Sequence, residues 1–388
     1  MQQLAPASRL HVVLVAPPWY PVPPLGYGGI ELVVGQLAAE LRRRGHRVTL
    51  IGAEGSHPHT VVLAPRAWSH DLGTPDERLR ELAYAARVGD HLRGLAQVDV
   101  VHDHSGGATL LAAVTRGRAP VVHTVHGPLS PADIDFLRSL HGPPGLVAIS
   151  ESQRAAAPRA PWIGMVHNAV DAQQLGVGSA AEREPYLLCL ARICRDKGQH
   201  TAIEVARRVG MRLVLAGKVE RTRDGEEYHR RAVAPHVDGD RVIHVHNVVG
   251  AEKARLLARA RALLAPIEWD EPFGLAVVEA MASGTPAIVM RRGAAPELVE
   301  QGVTGFLVDN ADEMAAAVGL VDMIEPERCA QITRRRFSSA AMTDGYLAVY
   351  GAVVGPRPAT TISPISLALR SPTTAAAPGP PRGARSAP

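Results

Sequence analysis

The 388-residue sequence has few cysteines and no long apolar run. Its three cysteines lie at positions 189, 194 and 329 and form neither a Cys-x2-Cys pair nor a disulfide framework, which favours a reducing compartment. No stretch reaches the ~18 apolar residues of a membrane-spanning helix. The apolar run from Leu10 to Ala16 is short, contains a histidine and ends at Pro17, so it predicts a first β-strand rather than a signal peptide. We therefore expect a cytoplasmic protein.

A strong charge of either sign is also missing, because the formal net charge is only +4. Such a small excess over this length does not imply a nucleic-acid partner. Two arginine clusters, at 42–44 and 334–336, lie where helices are predicted to end, and the helix dipole favours cations there. We expect these arginines to be solvated. The alternative is peripheral contact with anionic lipid at the inner face of the membrane, or with an anionic acceptor.

Apolar runs alternate with amphipathic segments along most of the chain. Residues 30–44, for example, carry apolar side chains at steps of three and four and are followed by Gly45, which predicts a helix. This alternation is typical of an α/β protein with parallel sheets. Strands are predicted at 10–16, 47–51, 99–104, 120–127, 146–150 and 165–171 in the first half, and at 186–192, 212–218, 241–246, 262–266 and 287–290 in the second. The segment 57–74 has no assignment.

The turn around Glu271 carries the strongest functional signal. The apolar run before it ends at a proline, and residues 273–282 have the composition of a helix, so Glu271 falls at a strand-to-helix turn. A helix starting near Phe273 would leave the amides of Phe273, Gly274 and Leu275 unpaired at the positive end of its dipole, where a phosphate binds well. Gly274 keeps that approach open.

A second glutamate, Glu279, follows Glu271 by eight residues. On a helix this separation would span about 12 Å, enough for one extended ligand. Carboxylate oxygens only accept hydrogen bonds, so each glutamate suits a vicinal diol, one on a sugar ring and one on a ribose, with a diphosphate between them. Two solvated surface glutamates are the structural alternative, which the spacing by itself does not exclude.

The sequence Glu-Pro-Phe-Gly-Leu at 271–275, followed by Glu-Ala-Met-Ala-Ser-Gly-Thr-Pro at 279–286, resembles the donor-sugar signature of retaining glycosyltransferases of family 4. The resemblance implies the GT-B fold: two doubly wound Rossmann-like domains facing across a cleft. It also implies that a nucleotide-diphosphate sugar serves as co-substrate, without a further cofactor.

We expect four segments. Residues 1–172 would form the acceptor-side domain, 173–336 the nucleotide-sugar domain, and 337–354 a last helix that, by resemblance, crosses back to the first domain. Residues 355–388 contain eight prolines and no acidic side chain, so this tail is predicted to be disordered.

Further site residues follow from strand ends and from the resemblance. Arg192 and Lys197 follow a predicted strand, where two cations can hold a diphosphate and stabilise it as a leaving group. The paired glycines Gly28 and Gly29 precede a helix and would let backbone amides approach the same diphosphate. His126 lies at the carboxyl end of another strand, facing the cleft, and the resemblance implies that it lies near the donor sugar and acceptor.

No metal site is predicted. Asp133 and Asp135, and also Asp238 and Asp240, match an Asp-x-Asp pattern that binds metal-nucleotides in another glycosyltransferase fold, but neither pair closes a strand. The first pair suits a helix start and the second a turn. Histidines alternate at 102 and 104, yet the chain has 17 histidines and such pairs arise easily. Glu297, after a proline at a predicted helix start, is expected to be structural.

The resulting hypothesis is a retaining transfer of a hexose from a nucleotide-diphosphate sugar, with a UDP- or GDP-sugar as the expected donor, to a hydroxyl of a glycan, lipid or small molecule. A nucleotide-sugar epimerase or a sugar phosphorylase could be built on the same architecture. A non-catalytic nucleotide-sugar-binding protein is the alternative from another class. The sequence leaves the donor, the acceptor and the oligomeric state open.

Overall fold

The computed structural model describes residues 9–355, except 73, 108–110, 113, 114, 116, 117 and 141. These residues form two separate parallel β-sheets with helices around them. The predicted fold class, two doubly wound α/β domains, is therefore confirmed. The predicted tail from 356 onward lies outside the described residues.

The first sheet has seven strands in the spatial order β3-β2-β1-β4-β5-β6-β7, and all its pairings are parallel. Its strands are β1 (His11–Val15), β2 (Arg47–Ala53), β3 (Thr60–Ala64), β4 (Val100–Asp103), β5 (Val121–Thr124), β6 (Gly145–Ala148) and β7 (Trp162–Met165).

The second sheet has six parallel strands in the order β10-β9-β8-β11-β12-β13. Its strands are β8 (Glu184–Leu190), β9 (Arg212–Ala216), β10 (Val242–Val245), β11 (Ala260–Ala265), β12 (Ala287–Met290) and β13 (Gly305–Val308). In each sheet the strand order reverses beside the first strand, between β1 and β4 and between β8 and β11. Such switch points are where open α/β sheets bind ligands.

Helices connect the strands. The α-helices in the described part of the chain are α1 (Gly29–Arg43), α2 (Glu77–Gly94), α3 (Pro131–Ser139), α4 (Glu151–Ala156), α5 (Gln199–Arg208), α6 (Arg223–Tyr228), α7 (Gly250–Arg259), α8 (Leu275–Ala282), α9 (Ala295–Leu298), α10 (Ala311–Val318), α11 (Pro326–Arg336) and α12 (Ser339–Val354).

The central strands of the first sheet are buried on both faces. All five residues of β1 are buried, because β1 pairs with β2 and β4 inside a sheet covered on both faces. Helix α1 packs over this sheet with Val33, Val34, Leu37 and Leu41, which are fully buried. Gly45 has φ +85° and ends the helix as predicted.

The last helix, α12, packs on the first half of the chain. It contacts α1 and β7, and its Tyr346 and Tyr350 are buried in the same core cluster as Leu14 and Leu37. Arg44, at the end of α1, pairs with Asp344 of α12, so one predicted arginine cluster contributes an ion pair to this contact. The boundaries of the four predicted segments stay predictions.

No helix among the described residues combines the length and the apolar character needed to cross a bilayer.

Candidate active site

The predicted site residues follow the carboxyl ends of strands. His126 comes after β5, Arg192 after β8 and Glu271 after β11. Parallel strands bring their carboxyl ends to one edge of a sheet, so Arg192 and Glu271 lie on the same edge of the second sheet, where β8 and β11 are neighbours.

Lys197 and Glu271 form an ion pair across this edge. Lys197 ends a 3-10 turn, Arg195–Lys197, and its ammonium contacts a carboxylate oxygen of Glu271. It also lies 5.4 Å from the centre of the Trp269 ring, a distance at which a cation and a ring attract. Both partners are largely buried, with 14% and 19% of their side chains exposed. The pair is therefore held in one place.

The backbone around Glu271 is fixed as well. The amide of Ala294 donates to the Glu271 carbonyl at 2.9 Å. Gly293 passes directly over this peptide with φ +52°, and a Cβ there would collide with the backbone of Glu271. Only glycine fits at this position, and the close approach keeps the strand-to-helix turn rigid.

Helix α8 begins at Leu275, two residues later than the sequence predicted from Phe273. The reason is Gly274, whose φ of +103° is not helical, so that it caps the helix instead of belonging to it. The positive end of the dipole therefore lies at Leu275. Phe273 precedes the helix and its ring is buried against His167 and Phe337, so any donor-binding role of Phe273 is confined to its backbone.

Glu279 lies inside α8 and is almost fully buried, with 7% of its side chain exposed. Its Oε1 accepts a hydrogen bond from Nζ of Lys253, on α7, at 2.6 Å. The sequence-based distance of about 12 Å between the two glutamates assumed a continuous helix from 271 to 279. Residues 271–274 are not helical, so that assumption was wrong. The sequence analysis also missed Lys253, which has no local motif.

Arg192 has an acidic partner too. Its guanidinium contacts the Glu220 carboxylate, and its carbonyl accepts from the Gln199 side chain at 2.7 Å. All four charged side chains of the predicted site are thus paired with an opposite charge: Arg192 with Glu220, Lys197 with Glu271, and Glu279 with Lys253.

The paired glycines meet the start of α8. Gly28 has φ +151°, and a Cβ there would lie 2.8 Å from Cβ of Pro24. A Cβ on Gly29 would lie 2.9 Å from Cδ1 of Leu275. The structure thus brings the predicted glycine loop and the predicted phosphate seat together, although they are far apart in sequence.

A group of residues that the sequence analysis missed lies beside this loop. Lys218, after β9, donates to the Tyr20 hydroxyl at 2.6 Å and lies 4.2 Å from the centre of the Tyr27 ring. Glu31, in the first turn of α1, is 3% exposed, and burial raises its pKa to about 8. Burial, and then the neighbouring Arg192, lower the pKa of Lys218. The sequence signal was only a lysine at the end of the predicted strand 212–218.

His126 is partly buried among other histidines. Its Nε2 lies 2.9 Å from Nδ1 of His104. Burial, and then the nearby His123, lower the pKa of His126 to about 3, so this ring is neutral at ordinary pH. His123 in turn contacts the buried Asp103, at 2.8 Å.

Glu297 joins the two halves of the chain. Its carboxylate accepts from the amides of Glu151 and Ser152, at the start of α4, at 2.8 and 2.7 Å. Nε2 of His167 lies 3.2 Å from the same carboxylate. Burial would raise the pKa of Glu297, but these hydrogen bonds outweigh it and the pKa is lowered. The sequence had suggested a structural role through the dipole of its own helix; the contact is instead with another helix.

The first aspartate of each Asp-x-Asp pair lies where predicted, one at a helix start and one in a turn. Asp133 forms a capping box with Ser130 at the start of α3. Asp238 accepts from the amides of Asp240, Arg241 and Val242 in the turn before β10. Within the described residues, no group of three or more potential ligands is arranged to hold a metal ion.

Two family models match this chain. The family model for "Glycosyltransferase Family 4" matches residues 27–174, and that for "Glycosyl transferases group 1" matches residues 173–343. The two matches overlap at residues 173 and 174 and together include every predicted site residue.

Individual relatives are 27 to 30% identical to this chain over the aligned residues. A phosphatidyl-myo-inositol mannosyltransferase of Mycolicibacterium smegmatis is 27% identical over 89% of this chain and 95% of its own length. A sucrose synthase of Acidithiobacillus caldus is 30% identical, but over only 38% of this chain and 21% of the synthase. The crystal structure of AviGT4, a glycosyltransferase involved in avilamycin A biosynthesis, superposes with a TM-score of 0.65 at 27% identity, covering 89% of this chain and 98% of that one.

Two doubly wound sheets and a charged site at their carboxyl edges define a GT-B protein. With both family models matched in chain order, the chain belongs to the group 1 glycosyltransferases.

Proposed function

We propose that this chain is a retaining glycosyltransferase that moves a hexose from a nucleotide-diphosphate sugar to a hydroxyl acceptor. The observation that carries the proposal is the ion pair between Lys197 and Glu271, held at the strand-to-helix turn next to the start of α8. It puts a cation suited to a diphosphate directly beside a carboxylate suited to sugar hydroxyls.

Donor binding would exchange partners at this site. The diphosphate would take Lys197 and Arg192 as counter-ions, with its oxygens near the positive end of α8 and the amides of the glycine loop. Glu271 would then accept from hydroxyls of the donor sugar, and Glu279 from the ribose. The internal ion pairs support this proposal because they keep the four charged groups in defined positions before the donor arrives.

The reaction needs no covalent attachment to the protein. The bond between the anomeric carbon and the diphosphate oxygen breaks, the acceptor oxygen bonds to that carbon on the same face, and the hydroxyl proton passes to the departing phosphate. Lys197 and Arg192 would stabilise the charge that develops on the diphosphate, which is commonly the largest catalytic effect in such sites. His126 would contact the sugar or the acceptor from the first sheet.

UDP- and GDP-sugars are the donors we favour, and the resemblance to a mannosyltransferase makes GDP-mannose a natural test. The proposed acceptor is a lipid at the inner face of the membrane, a glycan or a small molecule. One relative is named for a phosphatidylinositol and another for avilamycin biosynthesis, which supports keeping all three classes. We propose that the protein works in the cytoplasm.

A nucleotide panel tests the proposal. Thermal-shift and saturation-transfer NMR measurements with UDP, GDP, ADP and TDP and their common sugars should identify one diphosphate that stabilises the protein and loses its effect in Glu279→Ala. Absence of binding by folded protein would contradict the proposal. Product analysis then separates the same-fold alternatives: a transferase releases nucleoside diphosphate and a new glycoside, an epimerase an altered nucleotide sugar, and a phosphorylase a sugar phosphate.

A further inference from the structure

His104 and His126 share one hydrogen bond. Nδ1 of His104, directly after β4, lies 2.9 Å from Nε2 of His126, two residues after β5. The two rings are nearly parallel, with an interplanar angle of 29°. His104 is 3% exposed, whereas His126 is partly exposed at the carboxyl edge of the sheet.

Both rings are neutral, because burial lowers both pKa values and neighbouring histidines lower them further. A neutral imidazole carries one proton, on one of its two nitrogens. Either His104 donates from Nδ1 to Nε2 of His126, or His126 donates from Nε2 to Nδ1 of His104. The choice decides which nitrogen of His126 carries the proton.

The other nitrogen of His104 settles the choice. Its Nε2 is buried and has no hydrogen-bond partner among the described residues. The neighbouring ring of His102 does not supply one, since its nitrogens contact the hydroxyls of Tyr350 and Thr124 at 2.6 and 2.8 Å. If His126 were the donor, the proton of His104 would sit on this Nε2 as an unpaired buried N–H. In protein backbones, unpaired buried N–H groups are rarer than under-satisfied acceptors, and the same preference favours leaving Nε2 of His104 as an acceptor.

We propose that His104 is a positioning residue: it donates from Nδ1 to Nε2 of His126 and thereby fixes the proton of His126 on Nδ1. His126 then meets a ligand as a hydrogen-bond donor through Nδ1–H. It does not act as a base, because its only unprotonated nitrogen is occupied by His104. This inference rests on the proposed function in placing His126 beside the sugar or acceptor, and it assigns the ligand atom there as an acceptor oxygen.

Two substitutions at position 104 form a matched pair. The amide nitrogen of Asn in His104→Asn can take the place of Nδ1 and keep a donor toward His126, whereas the longer side chain in His104→Gln carries its amide toward the place of Nε2. We expect His104→Asn to retain most of the turnover and His104→Gln to lose about tenfold or more in kcat, with little change in donor KM. Turnover is followed as nucleoside diphosphate released from UDP-glucose and from GDP-mannose, and thermal unfolding checks that both variants fold.

Neutron diffraction from crystals of the wild-type protein in D₂O at neutral pD reads the tautomer without any variant or substrate. Deuterium on Nδ1 of both rings supports the proposal, and deuterium on Nε2 of His126 overturns it. With the expected tautomer, equal kcat values for the Asn and Gln variants would overturn the positioning role.

Different results would contradict the proposed function and the role of His104. If the proposed function is wrong, no nucleotide stabilises the protein and neither nucleotide sugar is consumed, while the neutron result still stands. If only the role of His104 is wrong, nucleotide binding and turnover persist and the matched variants behave alike.

Discussion

The most direct test of the donor site concerns Glu279. If its carboxylate holds the ribose, Glu279→Ala should weaken binding of a nucleoside diphosphate but not of its dideoxyribose counterpart, which lacks the diol. Oε1 of Glu279 is engaged by Lys253 at 2.6 Å, so we assign the ribose to Oε2. The expected loss of binding free energy is at least that of one hydrogen bond to a charged group, about 1.5 to 2 kcal/mol, which raises Kd about 10- to 30-fold.

Isothermal titration calorimetry of both proteins with both ligands closes a double-mutant cycle. The substitution also frees Lys253, whose charge would attract either diphosphate, but that effect is common to the two ligands and cancels in the coupling energy. Glu184→Ala is the matched control, since it breaks an ion pair with Arg259 at the amino end of β8, on the edge of the sheet away from the site. A coupling energy indistinguishable from zero in folded protein would refute the assignment of Glu279 to the ribose.

Three further predictions follow from single contacts. Lys197→Met should lower kcat by about 10²-fold, measured as nucleoside diphosphate release, because the leaving group loses one fixed counter-charge. Tyr346→Phe should lower the free energy of unfolding by about 1 kcal/mol in a urea titration, because it removes the buried hydroxyl and its 2.9 Å hydrogen bond with Thr124. Glu297→Gln should make the loss of thermal stability below about pH 4.5 less steep. The pKa of Glu297 is lowered in the folded protein. Such a carboxyl contributes stability above its unfolded-state pKa, and this contribution is lost as the pH falls through the folded-state pKa.

Each of these three substitutions has its own control. Arg259→Met removes a cation at the surface and should leave kcat unchanged; near-normal turnover in Lys197→Met would count against the leaving-group role. Thr124→Val removes the partner of the Tyr346 hydroxyl, and fully additive effects of the two changes would show that the hydroxyls are not coupled. Glu204→Gln changes an exposed helix carboxylate and should leave the acid limb as steep as in the wild type; an equally steep limb in Glu297→Gln would refute its contribution.

Parallel sheets made much of the fold predictable. Strands such as β1 and β11, buried on both faces, appear as apolar runs with little interruption. The edge strand β3 (Thr60–Ala64), in the segment without an assignment, was missed because it is only partly buried. Helix α2 (Glu77–Gly94) was missed as well: Leu79 and Leu82 are 66% and 61% exposed, which blurs its amphipathic pattern.

The site was predictable only residue by residue. Strand ends and the family resemblance indicated Lys197 and Glu271, but nothing local shows that these residues, 74 positions apart, form an ion pair. Lys253 and Glu297 act through partners 26 and up to 146 positions away, and no short motif carries such information. The late start of α8 had a local cause, the positive φ of Gly274, which composition alone did not reveal.

The packing of α12 sets a condition on how this protein is made. Residues 11–165 supply every strand of the first sheet, yet the core beside that sheet also needs Tyr346 and Tyr350 from the other end of the described chain. A ribosome delivers these tyrosines only after every strand of the second sheet, which ends with β13 at Val308. The apolar surface beside the first sheet therefore stays uncovered during synthesis until α12 has been made, well after the last strand of that sheet.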